Sequence, residues 1–471
     1  MKVKATRRKA SKAEPPKTPL GDFLSRKERL TAGKALRGIL PRERNAAWKP
    51  PSKRRDPIDV LEESNRDRMA EVVPIRYGRM LRSPFAFLRG SAGLMAYDLA
   101  TTTPNTGLRV QACGDCHLVN FGMFATAERN LVFDMNNFDE TLPAPWEWDV
   151  KRLGTSFVVA ARANGCSNAE ARDAAIACAR SYRRHMRECS KKSPLDVWYE
   201  RMDMQAVIER APDVKTRKKR EEMAIKARQR IGEYLVPKLS TASGGRRRLT
   251  DQPPILFHLA EKDGEKRFRE GLEDYRLSLP DSVRVLFDRY RLEDWAVKVV
   301  GIGSVGTRCL VGLFFSPEGH PLFLQFKEAC PSVLAPYAGK SIYENQGQRI
   351  VVGQRLMQSS SDIFLGWTHG RRGYHFFGRQ LRDMKFSPPV EGASALQAKL
   401  YGEICGTVLA RAHAKSGDAA KISGYLGKSD VFDQAIGAFS LAYADQTVRD
   451  HAALVKAVKA GRIKALVEED L

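Results

Sequence analysis

The sequence predicts an α+β fold with two lobes, a small antiparallel sheet lobe and a larger helical lobe. Two patterns lead to this prediction. Residues 296–327 alternate in polarity and are rich in Val, Leu and Phe, which is typical of strands. Apolar residues recur at helical spacing within residues 167–290, and again at 394–414 and 429–460. The chain has 471 residues, of which 43% are hydrophobic, and can therefore bury a sizeable core.

The individual elements follow from the same patterns. A helix begins around residues 146–149 and carries apolar positions at helical spacing. The strand-rich region contains three strands, one helix and two further antiparallel strands, predicted at residues 296–300, 308–315, 322–327, 345–358, 362–369 and 374–381.

Composition excludes several classes of protein. No stretch approaches the roughly 18 apolar residues of a membrane-spanning helix, and the N-terminus lacks the apolar segment of a signal peptide. The eight cysteines are scattered, which is typical of reduced thiols, and we expect a cytoplasmic protein. Cys113 and Cys116 form a Cys-x-x-Cys, but no second Cys or His pair follows at ligand spacing, which disfavours a zinc site.

The net charge of +24 is concentrated in two segments. Residues 1–55 carry 18 Lys and Arg against 4 Asp and Glu, and residues 201–250 carry 14 against 6. We interpret residues 1–55 as a basic, mostly disordered tail with one short helix near 22–38. A solvated tail is the simpler interpretation, and weak contact with nucleic acid or an anionic surface is the functional alternative.

Residues 57–103 combine an apolar surface with Arg76, Arg79, Arg82 and Arg89. Arginine beside an apolar wall suits recognition of carboxylate or phosphate groups. The alternative is that these arginines pair with acids such as Asp98. The sequence leaves both interpretations open.

Residues 110–140 hold the side chains best suited to chemistry. Asp115 is followed five positions later by Asn120, and an apolar run ends in Asp134. A turn followed by a strand can bring these three side chains into one small volume. Phosphoryl transfer needs such a set, with one carboxylate for the nucleophile's proton and Asn and Asp oxygens for Mg²⁺. Asp and Asn also form ordinary turns, so a turn with no chemical role remains an alternative interpretation of this stretch.

A second candidate site is the loop that joins the first two predicted strands. Residues 301–306 of this loop form a G-x-G-x-x-G motif. In a dinucleotide-binding Rossmann site this motif opens a helix. Between two strands it favours a hairpin over phosphates, as in protein kinases. A tight hairpin without a ligand is the alternative.

The third strand carries Lys327, placed as the lysine with which kinase-like folds neutralise the α- and β-phosphates of ATP. A carboxylate should position this lysine. Glu328 points to the opposite face of the strand, and Glu344 is the only acid between Glu328 and Asp362, so Glu344 is the candidate by elimination. A surface lysine is the alternative interpretation of Lys327. The predicted nucleotide contacts are Gly301, Gly303, Ser304, Gly306, Lys327, Glu344 and Gln380.

The order of these pieces is unusual. A kinase runs from the Gly-rich hairpin and Lys strand through a helix, two strands and a long helix to the catalytic loop and metal Asp. Here the loop and Asp (115–134) come first, the hairpin and Lys (301–327) follow, and the long helix lies at 394–414. Joining the halves restores the usual order, so we predict a circularly permuted kinase-like fold.

The chain is predicted to divide into four parts. These are the tail 1–55, a first part of the helical lobe with a helical insertion at 56–290, the strand-rich nucleotide-binding lobe 291–390, and helices completing the helical lobe at 391–471.

The motif GDCHLVN, followed by VFD and then WEWDVKRL, resembles the aminoglycoside and choline phosphotransferase branch of the kinase-like superfamily. That branch shows H-G-D-x-H-x-x-N, then I-D-F/W and a later D-L-A. The resemblance implies that Asp115 is the catalytic aspartate, that Asn120 and Asp134 hold metal, and that Asp149 is a structural support. Asp139 competes with Asp134 as the second metal ligand, and Cys113 replaces the motif's first His.

A closer resemblance covers about residues 55–460. The segments LRSPFAFLRG, CGDCHLVNFG, VGIGSVGTRC, SDIFLGW and RQLRDMK are similar to the bacterial family called domain of unknown function 2252. The name of that family implies no reaction.

Together these patterns predict a phosphotransferase that uses ATP and Mg²⁺ and acts on an unidentified small-molecule or protein hydroxyl. A catalytically silent nucleotide-binding module and an AMP transferase remain as alternatives on the same fold. The permutation requires Asp115 and Lys327, 212 positions apart, to face one cleft. It also requires the helix ending at His413 to lie beneath the loop at Asp115, through an apolar face formed by Leu400, Ile404, Val408 and Ala412.

Overall fold

The protein combines helices and strands, and its main β element is a six-stranded antiparallel sheet. The structure is a computed structural model that describes residues 24–243, 246–259, 264–370, 373–381 and 383–467. The α+β class predicted from the sequence is therefore confirmed. Among the helices in these ranges, none carries an apolar stretch long enough to cross a bilayer.

The described N-terminal part, which begins at residue 24, is helical. Its helices are α1 (Arg26–Ala35), α2 (Pro57–Glu63), α3 (Val73–Leu81), α4 (Pro84–Gly90) and α5 (Ala92–Thr102). The short helix predicted near 22–38 is α1, which begins at a capping box of Ser25 and Glu28.

The interpretation of residues 1–55 as mostly disordered is corrected for residues 24–55, whose basic side chains find partners. Arg37 donates to the carbonyl oxygens of Gly424 and Tyr425, and Arg54 pairs with Asp98 and Asp450 at 2.7 Å each. These contacts hold the segment against the C-terminal helices. The rest of the predicted tail, residues 1–23, lies outside the described residues.

Two short antiparallel strand pairs frame the Asp115 loop. They are formed by β1 (Arg109–Ala112) with β4 (Leu142–Pro145), and by β2 (Phe121–Ala125) with β3 (Leu131–Met135). The second pair lies between the loop and residue 135, and the first pair closes the stretch at its base. Residues 110–140 therefore form a compact unit with its own strand pairing.

The helical body is built from segments far apart in sequence. Its main helices are α6 (Trp146–Ala163), α7 (Asn168–Cys189), α16 (Ala395–Ser416), α17 (Ala419–Leu426) and α18 (Val431–Lys459). Helix α16 packs closely on α7 because Gly402 and Gly406 carry no side chains. Of the four residues predicted to form the apolar face of α16, Val408 and Ala412 are buried, whereas Leu400 and Ile404 are half-buried.

The described residues between α7 and β8 (Arg291–Lys298) form six helices and three short strands. In chain order these are α8 (Pro194–Tyr199), α9 (Met204–Glu209), α10 (Val214–Arg228), α11 (Gly232–Leu239), β5 (Ser240–Ser243), β6 (Arg246–Leu249), β7 (Leu256–Phe257), α12 (Gly264–Ser278) and α13 (Asp281–Phe287). Strand β7 joins the edge of the main sheet, and α12 and α13 cover one face of it. The main sheet therefore includes residues from 256 onwards, whereas the strand-rich region was predicted to begin at 291.

The remaining strands run in the order β11-β12-β10-β9-β8-β7 across the sheet, all neighbours antiparallel. Their bounds, with the two helices between them, are β8 (Arg291–Lys298), β9 (Cys309–Phe315), β10 (Pro321–Glu328), α14 (Ala335–Ala338), α15 (Gln346–Met357), β11 (Gly366–His369) and β12 (His375–Gln380). Phe326 faces α12, whereas Phe323 faces the side of α11. By strand alternation Lys327 shares the face of Phe323, at the end of β10 nearest residues 110–140.

Candidate functional site

A cleft of about 1280 Å³ lies between the sheet, residues 110–140 and the N-terminal helices. Its wall includes side chains from both halves of the sequence. Asp115 and Lys327 both line this cleft, as the sequence predicted. From the predicted set, the cleft is lined by Asp115, Asn120, Asp139, Gly301, Gly303, Ser304, Lys327 and Glu344.

The loop that carries Asp115 is fixed from below by Asp149, near the start of α6. The Asp149 carboxylate accepts from the backbone N–H groups of Cys113 (2.6 Å) and Gly114 (3.0 Å). His413 of α16 contacts the same carboxylate through Nε2 at 3.1 Å. Gly114 has a φ of +81°, and a Cβ there would lie 2.4 Å from the carbonyl oxygen of Glu140. The loop therefore needs glycine before Asp115 and a buried carboxylate beneath it.

Arg152 orients the Asp115 side chain. Its Nε donates to Oδ1 of Asp115 at 2.8 Å, its Nη2 also reaches Oδ1, and Nη2 donates to the carbonyl oxygen of Leu88 at 2.9 Å. The other carboxylate oxygen, Oδ2, lies 3.7 Å from Nε2 of His117. Because Arg152 occupies Oδ1, Oδ2 is the oxygen that can accept a proton from a ligand.

His117 and Asn120 complete the loop. Burial lowers the pKa of His117 to about 3, so its imidazole is neutral at physiological pH and cannot itself form an ion pair with Asp115. Asn120 donates through Nδ2 to the backbone carbonyl oxygen of Asp115 at 2.7 Å. This bond uses the amide nitrogen of Asn120 and leaves its side-chain oxygen as a potential ligand.

Asp139 joins the Asp115 loop to the sheet. Its Oδ2 lies 3.2 Å from Nζ of Lys327 and accepts from Oγ of Ser304 at 3.1 Å. Burial favours the neutral acid, but Lys327 and Arg379 outweigh it, and the pKa of Asp139 falls below its ordinary value. Its second oxygen, Oδ1, is buried and has no hydrogen-bond partner among the described residues. A buried carboxylate oxygen without a donor is suited to receive a cation.

Asp134 has a different environment, and its prediction as a metal ligand is corrected. It is 1% exposed and is not among the described residues that line the cleft. Arg411 of α16 donates to both its oxygens at 2.7 and 2.8 Å, and Ser359 donates to Oδ2 through its N–H and Oγ. The N–H of Met135 donates to Oδ1. Both oxygens are therefore committed to protein donors.

Glu344, predicted to position Lys327, does not do so. The residue is exposed on the wall of the cleft, immediately before the N-cap of α15 at Asn345, and Lys327 pairs with Asp139 instead. The assignment of Glu344 by elimination was wrong because it considered only acids that follow Lys327 in the chain.

Two other predicted nucleotide contacts are also displaced. Arg379 and Leu381 line the cleft, whereas Gln380 between them is not among the described lining residues. Gly306 is likewise not among the described residues that line the cleft. It ends the hairpin turn with a φ of +91°. A Cβ at Gly306 would lie 2.9 Å from Cβ of Arg68.

Comparison with protein families gives one match, to the model of uncharacterized proteins conserved in bacteria called DUF2252, over residues 68–457. The chain belongs to this family. The matched region contains every residue of the cleft named above and the whole of the sheet. Comparisons with curated proteins and with solved structures give no match.

In this DUF2252 protein, helix α15 contributes Arg349 to the site, whereas the sequence predicted a carboxylate from the residues after Lys327. Arg349 donates to the carbonyl oxygens of Thr141 (2.6 Å), Asp139 (2.9 Å) and Cys330 (2.8 Å). These bonds fix the backbone on both sides of the cleft. Sequence reasoning missed Arg349 because an arginine on a helix gives no signal of which distant carbonyl groups it will reach.

The Gly-rich hairpin of the DUF2252 chain is tied to the N-terminal helices. Gly306 accepts from the N–H of Met69 at 2.8 Å, and Val305 accepts from Nη1 of Arg68 at 2.5 Å. The side chain of Val305 is fully buried against Val72 and Ile75. The tip of the hairpin is therefore held in place from the side of α3.

Proposed function

We propose that this protein is a phosphotransferase that uses ATP and Mg²⁺, built on a circularly permuted kinase-like fold, and that it acts on a hydroxyl group of a small molecule or protein. The observation that carries the proposal is the meeting of Asp115, Asn120, Asp139 and Lys327 in one cleft, below a Gly-rich hairpin. These side chains come from segments about two hundred residues apart.

The succession of elements in space supports the permutation. The Gly-rich hairpin joins β8 to β9, Lys327 follows on β10, and then come α15, the β11–β12 pair and α16. At the end of α16, Oγ of Ser416 accepts from the N–H of Gln111 at 2.9 Å. Helix α16 therefore leads spatially into β1 and the Asp115 loop, which is the order of elements in an unpermuted kinase.

The oxygens around Asp139 fit a hard cation. Asp139 Oδ1 and the side-chain oxygen of Asn137 are both buried and without hydrogen-bond partners among the described residues, and both residues line the cleft. Asn120 offers a third oxygen. Mg²⁺ prefers such oxygen ligands and, when bound, neutralises the negative charge of the phosphates. In this proposal Asp139 takes the role that the sequence assigned to Asp134.

The remaining residues have defined tasks in the transfer. Lys327 contacts the α- and β-phosphates, and the backbone of the hairpin covers them. Oδ2 of Asp115 accepts the proton of the acceptor hydroxyl while Arg152 holds Oδ1. The acceptor oxygen forms the new bond to the γ-phosphorus, the bond from that phosphorus to the bridging β–γ oxygen breaks, and ADP departs.

Nucleotide binding is tested first, by thermal unfolding with and without millimolar ATP and Mg²⁺. A ligand that binds only the folded state raises the melting temperature by mass action. Lys327→Ala should reduce the rise, whereas Lys340→Ala, which removes an exposed lysine from the same cleft, should leave it near wild type. The absence of any rise in the wild-type protein would contradict the proposal.

The reaction is tested by mass spectrometry of a cell extract incubated with the protein, Mg²⁺ and ATP labelled in both the adenine and the γ-phosphate. Transfer of the γ-label alone supports the proposal. Transfer of adenine with the α-phosphate identifies an AMP transferase instead. Asp115→Asn should lose product while keeping the ATP-induced thermal shift, because its carboxylate acts on the acceptor and not on ATP. A silent module would give no product with either protein.

A further inference from the structure

Arg89 stands out among the arginines around the cleft because its side chain makes no hydrogen bond to the described residues. It lies near the end of α4, with its guanidinium carbon 6.0 Å from the centre of the Phe85 ring. Its Nε is buried without a partner. The side chain lines the cleft, and Asp115 and Glu391 are the two acids whose charges act on it.

The other arginines that line the cleft are all engaged in the part of the chain that the structure describes. Arg68 donates to Val305, Arg76 to Gly90 and Asn65, Arg349 to three carbonyl oxygens, and Arg379 to the carbonyl oxygen of Asn136. A half-buried guanidinium whose buried Nε lacks an acceptor is costly, and a ligand with paired oxygens satisfies it best. Arg89 therefore has the features of an anion-binding residue.

The position of Arg89 decides which anion it binds. On the nucleotide side, Lys327 and the hairpin already provide donors for phosphates. Arg89 lies beside the Asp115 loop, because the carbonyl oxygen of the preceding residue, Leu88, accepts from Arg152, which also holds Oδ1 of Asp115. The acceptor hydroxyl must reach Oδ2 of the same aspartate. We propose that Arg89 binds a phosphate or carboxylate group of the acceptor, so that the acceptor is an anionic hydroxyl compound.

This inference rests on the proposed phosphotransferase function, but anion binding is measurable without turnover. Inorganic phosphate is titrated into the protein in the presence of Mg²⁺ and a saturating non-hydrolysable ATP analogue, and the melting temperature is recorded. Arg89→Met keeps an unbranched apolar stem beside Phe85 but removes the guanidinium and its charge. It should weaken phosphate binding by at least about tenfold, and Arg89→Lys should recover part of the loss. Lys340→Ala should stay within about twofold of wild type.

The result that would overturn the proposal is phosphate binding to Arg89→Met with wild-type affinity. A second source of the anion is the terminal phosphate of ATP itself, because a Cβ at Gly303 would lie 3.1 Å from the carbonyl oxygen of Arg89. If Arg89→Met weakens binding of ATP and Mg²⁺ tenfold as well, Arg89 serves the nucleotide and the assignment to the acceptor is wrong.

The class of acceptor is tested by dividing a metabolite extract on an anion-exchange resin before incubation with γ-labelled ATP. Labelled product from the retained fraction alone supports the inference, and its loss in Arg89→Met with the ATP-induced thermal shift unchanged assigns the contact. Labelled product from the unretained fraction overturns it. If no fraction is labelled, the proposed function fails, and the phosphate titration still decides whether Arg89 binds an anion.

Discussion

Asp134 and Asp139 are five positions apart and lie in opposite environments. Asp134 is buried beneath α16, with both oxygens bound by protein donors, whereas Asp139 faces the cleft with one oxygen that has no partner in the described structure. The difference arises from Arg411, which lies 277 residues after Asp134. One aspartate therefore stabilises the fold, and the other remains available for a ligand.

Exchanging each aspartate for asparagine should separate these roles. Asp139→Asn should fold and lose the thermal shift produced by ATP and Mg²⁺. Asp134→Asn leaves Arg411 buried without a carboxylate and should lower the free energy of unfolding by about 3–5 kcal/mol. Thermal and urea unfolding, with and without nucleotide, measure both effects. Asp67→Asn, an exposed acid of the cleft wall, is the control. Loss of the shift in Asp134→Asn but not in Asp139→Asn would return the metal site to Asp134.

Sequence reasoning located Asp115, Asn120 and Lys327 in one cleft because local motifs and strand alternation determine where such residues lie. It failed for Glu344, because the partner of Lys327 is an acid that precedes it by 188 positions. Arg152 and Arg349 gave no motif, since Arg152 pairs with the Asp115 carboxylate 37 positions before it and Arg349 donates to backbone carbonyl groups of distant segments. Long-range pairing of charged groups is therefore the part of the site that this sequence does not reveal.

Lys151 is a buried cation whose burial the fold tolerates at a cost. Its Nζ has no hydrogen-bond partner in the described structure and lies 5.0 Å from the centre of the Phe439 ring. Burial lowers its pKa from 10.5 to about 8. The unfolded chain therefore binds the proton more tightly, and the charge of Lys151 destabilises the fold below pH 8 and ceases to do so as the pH rises to 10.5.

Lys151→Met should accordingly raise the free energy of unfolding near neutral pH by about 1–3 kcal/mol. The difference in the free energy of unfolding between the variant and wild type should decrease as the pH rises from about 8 to 10.5. In this interval the wild-type lysine becomes neutral in the folded state. Urea unfolding at several pH values measures the difference. Lys226→Met, at an exposed position of α10, should change little at any pH. A gain that does not depend on pH would show that packing, not charge, is responsible.

Helices α7 and α16 approach each other where α16 has glycine. A Cβ at Gly406 would lie 2.2 Å from the carbonyl oxygen of Cys178, and one at Gly402 would lie 2.9 Å from that of Ala174. Both neighbours are backbone atoms that cannot rotate away. Because α16 also carries His413 and Arg411, the distance between these helices determines the position of the contacts that support Asp149 and Asp134.

Gly406→Ala should therefore destabilise the protein by about 1–3 kcal/mol or more, although alanine has a higher helix propensity than glycine. Thermal unfolding measures the loss. Gly38→Ala, where the added Cβ meets nothing within 4 Å, is the matched control and should have little effect. Equal stability of both variants would mean that the two helices can separate without loss.

Most strands and helices are close to their predicted bounds. Strand β9 begins one residue after the predicted position, and α16 begins one residue after its own. Strand β8 begins five residues earlier than predicted, at Arg291. The early residues of β8 are polar and break the apolar alternation, and the structure satisfies Asp294 through the N–H of Leu249 and the imidazole of His258. A strand whose polar residues are paired by a distant insertion is not recognisable from its own pattern.

The helical body is completed only by the C-terminal segment. Helices α16 and α18 pack on α6 and α7, and the buried acids Asp134 and Asp149 find their partners on α16. A chain truncated after residue 390 should therefore expose core residues and accumulate as insoluble protein. Solubility on expression tests this. Co-expression of residues 391–471 as a separate polypeptide should restore part of the soluble yield, and a fully soluble truncated chain would contradict the packing.

The attachment of the Gly-rich hairpin to the N-terminal helices has a consequence for the rate of the proposed reaction. A hairpin that covers phosphates must lift before the spent nucleotide can leave. Here lifting requires the contacts of Met69 and Arg68 with the hairpin to break and the side chain of Val305 to leave its apolar surroundings. Each event is brief compared with global unfolding but slow compared with side-chain rotation. If the proposed phosphotransfer takes place, we therefore expect the departure of ADP to limit the rate of each cycle.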